Sequence, residues 1–261
     1  MVFLVLGIDA ATWKVIKPNL KELPNFEKIL KICKSDTIHL KEKPYSPSIW
    51  CGMFCGKLPE EHGHKEYVEN GKIVTREDIK VDFIWDVLDE KGFDIRALNI
   101  PFIVPPYNFK VDFEPIGFGL PTTPKEWEKE LKRVTEKTVE ILKEKPDVLI
   151  SVFTSLDRIQ HFHWGEPLVL EWYKKMDKRL KEILFDTGFL TNNENKLIII
   201  SDHGFCSFGE AKVQTLPKKT KDGRILKGDH HEDAILITKN VNYKIKKPED
   251  VFFALKESFL D

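Results

Sequence analysis

Lys196-Leu197-Ile198-Ile199-Ile200-Ser201-Asp202-His203-Gly204 joins an uninterrupted apolar run to an acid, an imidazole and a glycine. The run shows no polar alternation, so it predicts a strand covered on both faces, as in parallel sheets. That strand, expected over Leu197–Ser201, delivers Asp202 and His203 to its C-terminal end. Open parallel sheets gather ligands there. Gly204 is read as the residue that lets the backbone turn sharply beside an ion.

The same pattern recurs outward from this stretch. Val2–Ile8 is an apolar run closed by Asp9, and Val148–Phe153 is followed four residues later by Asp157. Further strands are expected at Ile95–Asn99 and Ala234–Thr238, the latter preceded by Gly228-Asp229-His230-His231. Helical spacing fills the intervals. Pro24–Lys34 repeats Phe26, Ile29, Leu30 and Cys33, and Phe83–Lys91 stops at Gly92. Pro124–Lys145 is the longest helix expected, with Trp127, Leu131, Val134, Thr138, Ile141 and Leu142 on one side. Two more are expected at Pro167–Phe185 and Pro248–Phe259. Alternating strands and helices predict an α/β sandwich. No repeat, low-complexity tract or linker interrupts it, so residues 1–261 read as one domain.

Composition narrows the function classes. An apolar fraction of 41% supplies a core, and the 32% of charged residues nearly cancel, to a formal net of -1. That balance, with no basic stretch interleaved with aromatics, argues against nucleic acid as a partner. The charges are mostly Lys and Glu, and glutamine occurs only at Gln160 and Gln214, a heat-adapted pattern. Cys33, Cys51, Cys55 and Cys206 form no CxxC pair, so reduced thiols are expected. Cys51 and Cys55 fall on one helix face as small core residues. The first nine residues are too short and too uncharged for a signal peptide. No apolar run reaches the roughly 20 residues of a membrane helix. A soluble, cytoplasmic protein is expected.

The acids and imidazoles suggest a hydrolytic site with two metal ions. Asp157 and His161, four residues apart, share a face if their segment is helical. His230 or His231 completes the set. His39, His62, His64 and His163 lack strand-end context, though His62 and His163 lie near the motifs. A nucleophile is offered by Pro44-Tyr45-Ser46-Pro47-Ser48-Ile49-Trp50, ahead of a helix expected over Trp50–Cys55. A hydroxyl at a helix N-terminus meets free N–H groups and the positive dipole end, which suits a phosphate. The competing reading makes Ser46 or Ser48 an ordinary N-cap.

These pieces together resemble the alkaline phosphatase superfamily, above all its type I phosphodiesterase/nucleotide pyrophosphatase branch. The similarity is carried by Gly7-Ile8-Asp9-Ala10-Ala11-Thr12-Trp13, Ser46-Pro47-Ser48-Ile49-Trp50, Gly56-Lys57-Leu58-Pro59-Glu60-Glu61-His62-Gly63, Asp157-Arg158-Ile159-Gln160-His161, Ser201-Asp202-His203-Gly204 and Gly228-Asp229-His230. Asn99-Ile100-Pro101 with Pro105-Pro106 is also similar. The resemblance implies an alkaline phosphatase-like three-layer α/β sandwich with a mostly parallel central sheet and no large cap insertion. It implies that Asp9, Asp202 and His203 hold one divalent ion that also contacts Ser46, and that Asp157, His161 and His230 hold a second. His230 is preferred to His231 by counting back from the apolar strand. Zn²⁺ comes first and Mn²⁺ second for such carboxylate/imidazole sets. Ser46 would attack a small phosphodiester or nucleotide pyrophosphate in line, and the phosphoseryl intermediate would then be hydrolysed.

Departures from the branch bear on the substrate. Serine stands at position 46 where the branch usually has threonine, which keeps the hydroxyl. Ile49 occupies the place of an asparagine that steadies phosphoryl oxygens in eukaryotic pyrophosphatases. Stabilisation would then fall to metals and backbone N–H groups. The chain is short for the branch, so substrate-gripping insertions are expected to be reduced. Leu120-Pro121-Thr122-Thr123 and Lys212–Lys227 are the expected substrate-facing loops. A phosphomonoesterase is the first rival, with Arg158 its arginine candidate, and a non-catalytic metal- or nucleotide-binding homologue is the second. A sulfatase lacks its sequence around the nucleophile, and a phosphoglycerate mutase lacks room for its inserted domain.

Overall fold

The computed structural model describes residues 1–220 and 223–260. Strands are β1 Phe3–Ile8, β2 Lys34–His39, β3 Val68–Glu69, β4 Lys72–Ile73, β5 Ile95–Ile100, β6 Tyr107–Phe109, β7 Val148–Phe153, β8 Lys196–Ile200, β9 Gly204–Ser207, β10 Gly228–His231 and β11 Asp233–Lys239. Helices are α1 Trp13–Ile16, α2 Pro24–Ile32, α3 Ser46–Cys55, α4 Pro59–His62, α5 Ile84–Glu90, α6 Pro124–Glu144, α7 Ser155–His163, α8 Pro167–Leu180 and α9 Asp250–Leu260.

Seven strands form the central sheet in the order β2-β11-β8-β1-β7-β5-β6. The middle four, β8, β1, β7 and β5, are parallel, while β11, β2 and β6 join through antiparallel pairings. The sheet is thus mostly parallel at its centre, as expected. The apolar run at Ala234–Thr238 proved to be an antiparallel strand, because continuous burial reports two covered faces and not strand direction. β2 was not anticipated. It is an edge strand whose six residues bury only Ile38, so it carries no apolar run to read.

Side chains of one strand alternate between two cores. Leu4, Leu6 and Ile8 join Phe26, Trp127, Leu131, Trp172 and Met176 on one face. Phe3 and Val5 join Trp50, Phe54, Trp85, Val251 and Leu255 on the other. A two-residue period with both faces apolar produces this sandwich. Helices α2, α6 and α8 cover one side and α3, α5 and α9 the other, giving three layers. Each fully buried Leu, Ile or Phe contributes about 1.5–3 kcal/mol, which holds the parallel strands in register. Phe3 lies opposite Val148 and Lys196, and Gly7 opposite Val152 and Ile200. That register sets β7, β1 and β8 with their C-terminal ends together along one edge.

Helix boundaries follow their caps. Thr123 accepts from the Glu126 N–H and opens α6, with Pro124 at its first position. α3 begins at Ser46, four residues before the expected Trp50, and ends at Gly56 in the left-handed region. α8 stops at Leu180 and passes into a wider turn over Lys181–Phe185.

Candidate active site

Asp9 leaves the end of β1 buried, and the next residue, Ala10, takes a left-handed φ of 61°. That conformation is uncommon for alanine and is held from two sides. The Ala10 N–H donates to Asp202 Oδ1 at 3.2 Å, and the Ala10 carbonyl accepts from Gln160 Nε2 at 3.0 Å. Gln160 Oε1 in turn accepts from the Tyr173 hydroxyl, which accepts from the Thr12 N–H. Gln160 is fully buried. In the sequence Gln160 stands out only as one of two glutamines and as part of the Asp157–His161 motif, and neither feature points to this positioning role.

Asp157 and His161 share a face of α7 as expected, with Asp157 Oδ1 3.2 Å from His161 Nε2. The hairpin β9–β10 folds over the same sheet edge and pairs His230 with Phe205 and His231 with Gly204. His230 Nε2 reaches 3.1 Å from His161 Nε2 and 3.3 Å from Asp157 Oδ1. Successive strand residues point oppositely, so His231 turns away, toward Glu232 and Asp233. His203 Nε2 lies 3.3 Å from Asp202 Oδ2, 3.7 Å from Asp9 Oδ1 and 3.2 Å from Ser46 Oγ. Its ring stacks on His230 with centroids 3.7 Å apart, so it sits between the two sets.

All seven expected residues therefore converge: Asp9, Ser46, Asp157, His161, Asp202, His203 and His230. Ser46 occupies the first position of α3, and its Oγ meets His203 rather than capping the helix; the residue before α3 is Tyr45, with no side-chain cap bond. Ser48 Oγ is buried without a partner. The other histidines lie elsewhere. His39 pairs with Asp233, His163 with Glu166, His64 with the Phe102 carbonyl, and His62 accepts from the His64 N–H.

Gly204 works differently from expectation. Its φ is not positive; instead a Cβ there would lie 2.1 Å from the Asp233 carbonyl oxygen. Glycine is required because β9 crosses the start of β11 at close range. Cys51 and Cys55 are buried on α3 as expected.

The donor set fits divalent cations. The ligand atoms of Asp9, Asp202 and His203 lie within 4.8 Å of one another, as do those of Asp157, His203 and His230. Asp9 Oδ1, Asp157 Oδ1 and Asp202 Oδ2 are buried with no hydrogen-bond partner, an unusual condition for carboxylates. Each imidazole faces a main-chain carbonyl with Nδ1: His161 with Gly228 at 3.3 Å, His203 with Gly204 at 2.9 Å, His230 with Pro44 at 2.6 Å. Holding the proton on Nδ1 turns the Nε2 lone pair inward, the arrangement of a metal-ligating histidine.

Electrostatics agree with that fit. Burial, then the Asp202 and Asp157 carboxylates, push Asp9 well above the usual carboxylate range. Burial works to raise Asp157 too, but the His161 and His230 imidazoles hold it well below that range. Burial lowers His203 to about 4, keeping it neutral. For His230 burial is outweighed by Asp157, which raises it. Asp9, crowded by those two carboxylates, resists ionisation until positive charge is added.

The cluster opens into a pocket of about 270 Å³ that also meets Tyr45, Tyr67, Gly119, Leu120, Arg158 and Leu216. Leu120 and Leu216 come from the two loops expected to face substrate; Lys221 and Asp222 of the second loop lie outside the described residues. Glu130 was not anticipated near the site. It is buried on α6 and accepts from Thr154 Oγ1 at 2.7 Å and Arg158 Nη1 at 2.6 Å. Nothing local marks it, since α6 carries many exposed glutamates.

Comparison with known proteins accords with this geometry. No curated protein matches the chain significantly. Among solved structures, murine ectonucleotide pyrophosphatase/phosphodiesterase 5 superposes with a TM-score of 0.64 at 15% identity, over 98% of this chain and 94% of that one. The human protein of that name gives 0.62 at 15% identity, with the same coverage. Phosphonoacetate hydrolase from Sinorhizobium meliloti 1021, in complex with phosphonoformate, gives 0.60 at 16% identity, over 85% of this chain but 58% of its own length. Likeness at such identity is likeness of fold, the alkaline phosphatase-like α/β sandwich. The sequence profile of the type I phosphodiesterase/nucleotide pyrophosphatase family matches residues 3–258, so the chain belongs to that family of phosphoester hydrolases.

Proposed function

We propose that this chain is a metal-dependent hydrolase of phosphodiester or nucleotide pyrophosphate bonds that works through a phosphoseryl intermediate on Ser46. Residues 1–261 act as one catalytic domain without a large cap. The observation that carries the reading is the meeting of Ser46 Oγ with His203 Nε2, at 3.2 Å, inside a cluster of three unpartnered carboxylate oxygens and three inward-facing imidazoles. Asp9, Asp202 and His203 would hold one divalent ion, together with Ser46; Asp157, His161 and His230 would hold the other. Zn²⁺ is favoured and Mn²⁺ is the alternative. When bound, the ions lower the pKa of the serine hydroxyl and neutralise phosphoryl charge.

The protein residues do the rest. α3 presents Ser46 at its N-terminus, where the dipole favours an approaching anion. Ser46 Oγ loses its proton to solvent and attacks phosphorus as the bond to the leaving oxygen breaks in line. The departing alkoxide takes up a proton, while a phosphate leaving group can depart as the anion. Water then cleaves the phosphoseryl bond, its oxygen going to phosphorus and one of its protons to Ser46 Oγ. Ile49 cannot donate to a phosphoryl oxygen, so the N–H groups opening α3 supply that contact.

A small nucleotide as substrate is supported by a further neighbour, an inactive variant of the murine protein in complex with AMP. Nucleic acid duplexes and membranes are not partners in this reading. No helix among the described residues is long and apolar enough to cross a membrane. The four unpaired thiols support a cytoplasmic location. A phosphomonoesterase is the second reading, favoured by one observation: Arg158 lines the same pocket.

The test is hydrolysis of a phosphodiester and the matching monoester by metal-stripped protein, with Zn²⁺ or Mn²⁺ restored and Ser46→Ala as control. The reading expects metal-restored diester turnover, and loss of turnover in Ser46→Ala with its metal content intact. Near-normal activity in Ser46→Ala would remove the serine as nucleophile. Preference for the monoester would move the assignment to phosphatase. Tight metal binding without turnover of either would favour the non-catalytic homologue.

A further inference from the structure

Arg158 follows Asp157 on the first turn of α7, yet its side chain leaves the metal cluster and runs to α6. Nη1 donates to Glu130 Oε2 at 2.6 Å and Nη2 to the Gly119 carbonyl at 3.2 Å. The other Glu130 oxygen is taken by Thr154 Oγ1 at 2.7 Å. Glu130 is 3% exposed and Thr154 is 5% exposed, so this is a built support and not a solvated surface pair. A guanidinium carries five N–H donors in a rigid plane. Two meet Glu130 and Gly119, and the others meet no protein acceptor among the described residues. The group lines the pocket that holds Asp9, Ser46 and Asp157.

A monoanionic diester carries one charge, which the ions and the α3 N-terminus can meet. Nothing in those contacts calls for a second fixed cation in the pocket that the nucleophile lines. We propose that Arg158, held in place by Glu130, is a specificity-determining residue that takes a second phosphoryl negative charge. The pocket would thereby prefer phosphates bearing two charges, as in pyrophosphate-linked substrates and monoester products, to simple monoanionic diesters. The proposal rests on the phosphoester reading of this site. Glu130 acts as a positioning residue: one oxygen is fixed by Thr154, which leaves the other aimed at Nη1. The planar fork suits an anionic oxygen in a way an ammonium does not.

The test uses the metal-loaded full chain in a Ser46→Ala background, so that ligands bind without turnover. AMP, a dianion near pH 8, is compared with its 5′-methyl ester, a monoanion of almost the same shape, by titration calorimetry. Arg158→Met should reduce the preference for AMP over the ester roughly 10- to 100-fold, the range of one hydrogen bond to a charged group. Arg158→Lys should keep part of the preference, and Glu130→Gln should weaken it while leaving Arg158 in the chain. An ion pair that merely joined α6 to α7 would lower both affinities alike and leave their ratio unchanged. An unchanged ratio in folded Arg158→Met, verified by circular dichroism, overturns the proposal. Should Arg158→Met fail to fold, the ratio in Arg158→Lys and Glu130→Gln decides it. Diester hydrolysis by wild-type protein, assayed in parallel, tests the parent reading separately. Its failure would remove the reaction and leave the affinity ratio to judge Arg158.

Discussion

Asp202→Asn should stabilise the metal-free protein and weaken the metal-loaded one. The substitution keeps the shape of the side chain and the oxygen that accepts from the Ala10 N–H. It removes one charge from a group whose ligand atoms lie within 4.8 Å of those of Asp9. At an effective dielectric of about 20, two charges that far apart repel by about 3.5 kcal/mol. Asp9 escapes part of this by holding its proton, so about 1–3 kcal/mol of relief remains. For a chain of this size that raises Tm by a few degrees. With metal the sign reverses. At a thousandfold excess over Kd an ion contributes about 4.1 kcal/mol, and a hundredfold weaker site would retain only about 1.4 kcal/mol. The assay is thermal denaturation in chelator and again in Zn²⁺. The reasoning is refuted if Asp202→Asn melts lower than wild type in chelator, or if Zn²⁺ raises both melting points equally.

Three further outcomes are expected. Because Asp9 holds its proton well above the usual carboxylate range, metal uptake should release protons, and apparent affinity should rise with pH until that raised pKa is passed. Calorimetry in buffers of different ionisation enthalpy reads the count, and pH-independent affinity would contradict it. His230→Ala should lower bound metal while His231→Ala leaves the content intact, since only His230 faces the cluster; elemental analysis of the purified variants separates them. Gln160→Leu should cost about 1–3 kcal/mol, because it unpairs Ala10 and Tyr173. It should also weaken metal binding roughly 10-fold or more through the loosened Asp9. A Gln160→Leu protein with native affinity would mean that Ala10 holds its conformation unaided.

What could be read from the sequence follows from how each signal arises. Buried strands announce themselves because both faces are apolar, so β1, β5, β7, β8 and β11 were legible and β2, with Ile38 alone inward, was not. Most members of the cluster were legible because they follow an apolar run or share a helix turn with another member, and His230 because it precedes such a run. His230 was preferred to His231 by resemblance, and the strand phase set by the pairing with β9 supplies the physical reason. Ser46 was likewise preferred by resemblance, and the start of α3 at that residue supplies the physical reason. Glu130 lies 28 residues from Arg158 and Gln160 lies 150 residues from Ala10. Such partnerships are tertiary, and no local pattern encodes them. Gly204 was recognised as necessary for the wrong reason, because a close crossing and a sharp turn both select glycine.

The cluster draws its members from positions 9, 46, 157, 161, 202, 203 and 230, brought together by adjacent strands far apart in the chain. No fragment shorter than that span contains them all. A chain still emerging from the ribosome holds scattered acids and imidazoles and no cage. Ion capture of the kind inferred here would therefore come at the end of biogenesis, after residue 230 has been made and β10 has closed over the sheet edge. A proteolytic nick releasing the β9–β10 hairpin would empty the site while most of the sheet stood. Metal content would thus report whether the whole chain is folded and intact, a more exacting criterion than helix or strand content.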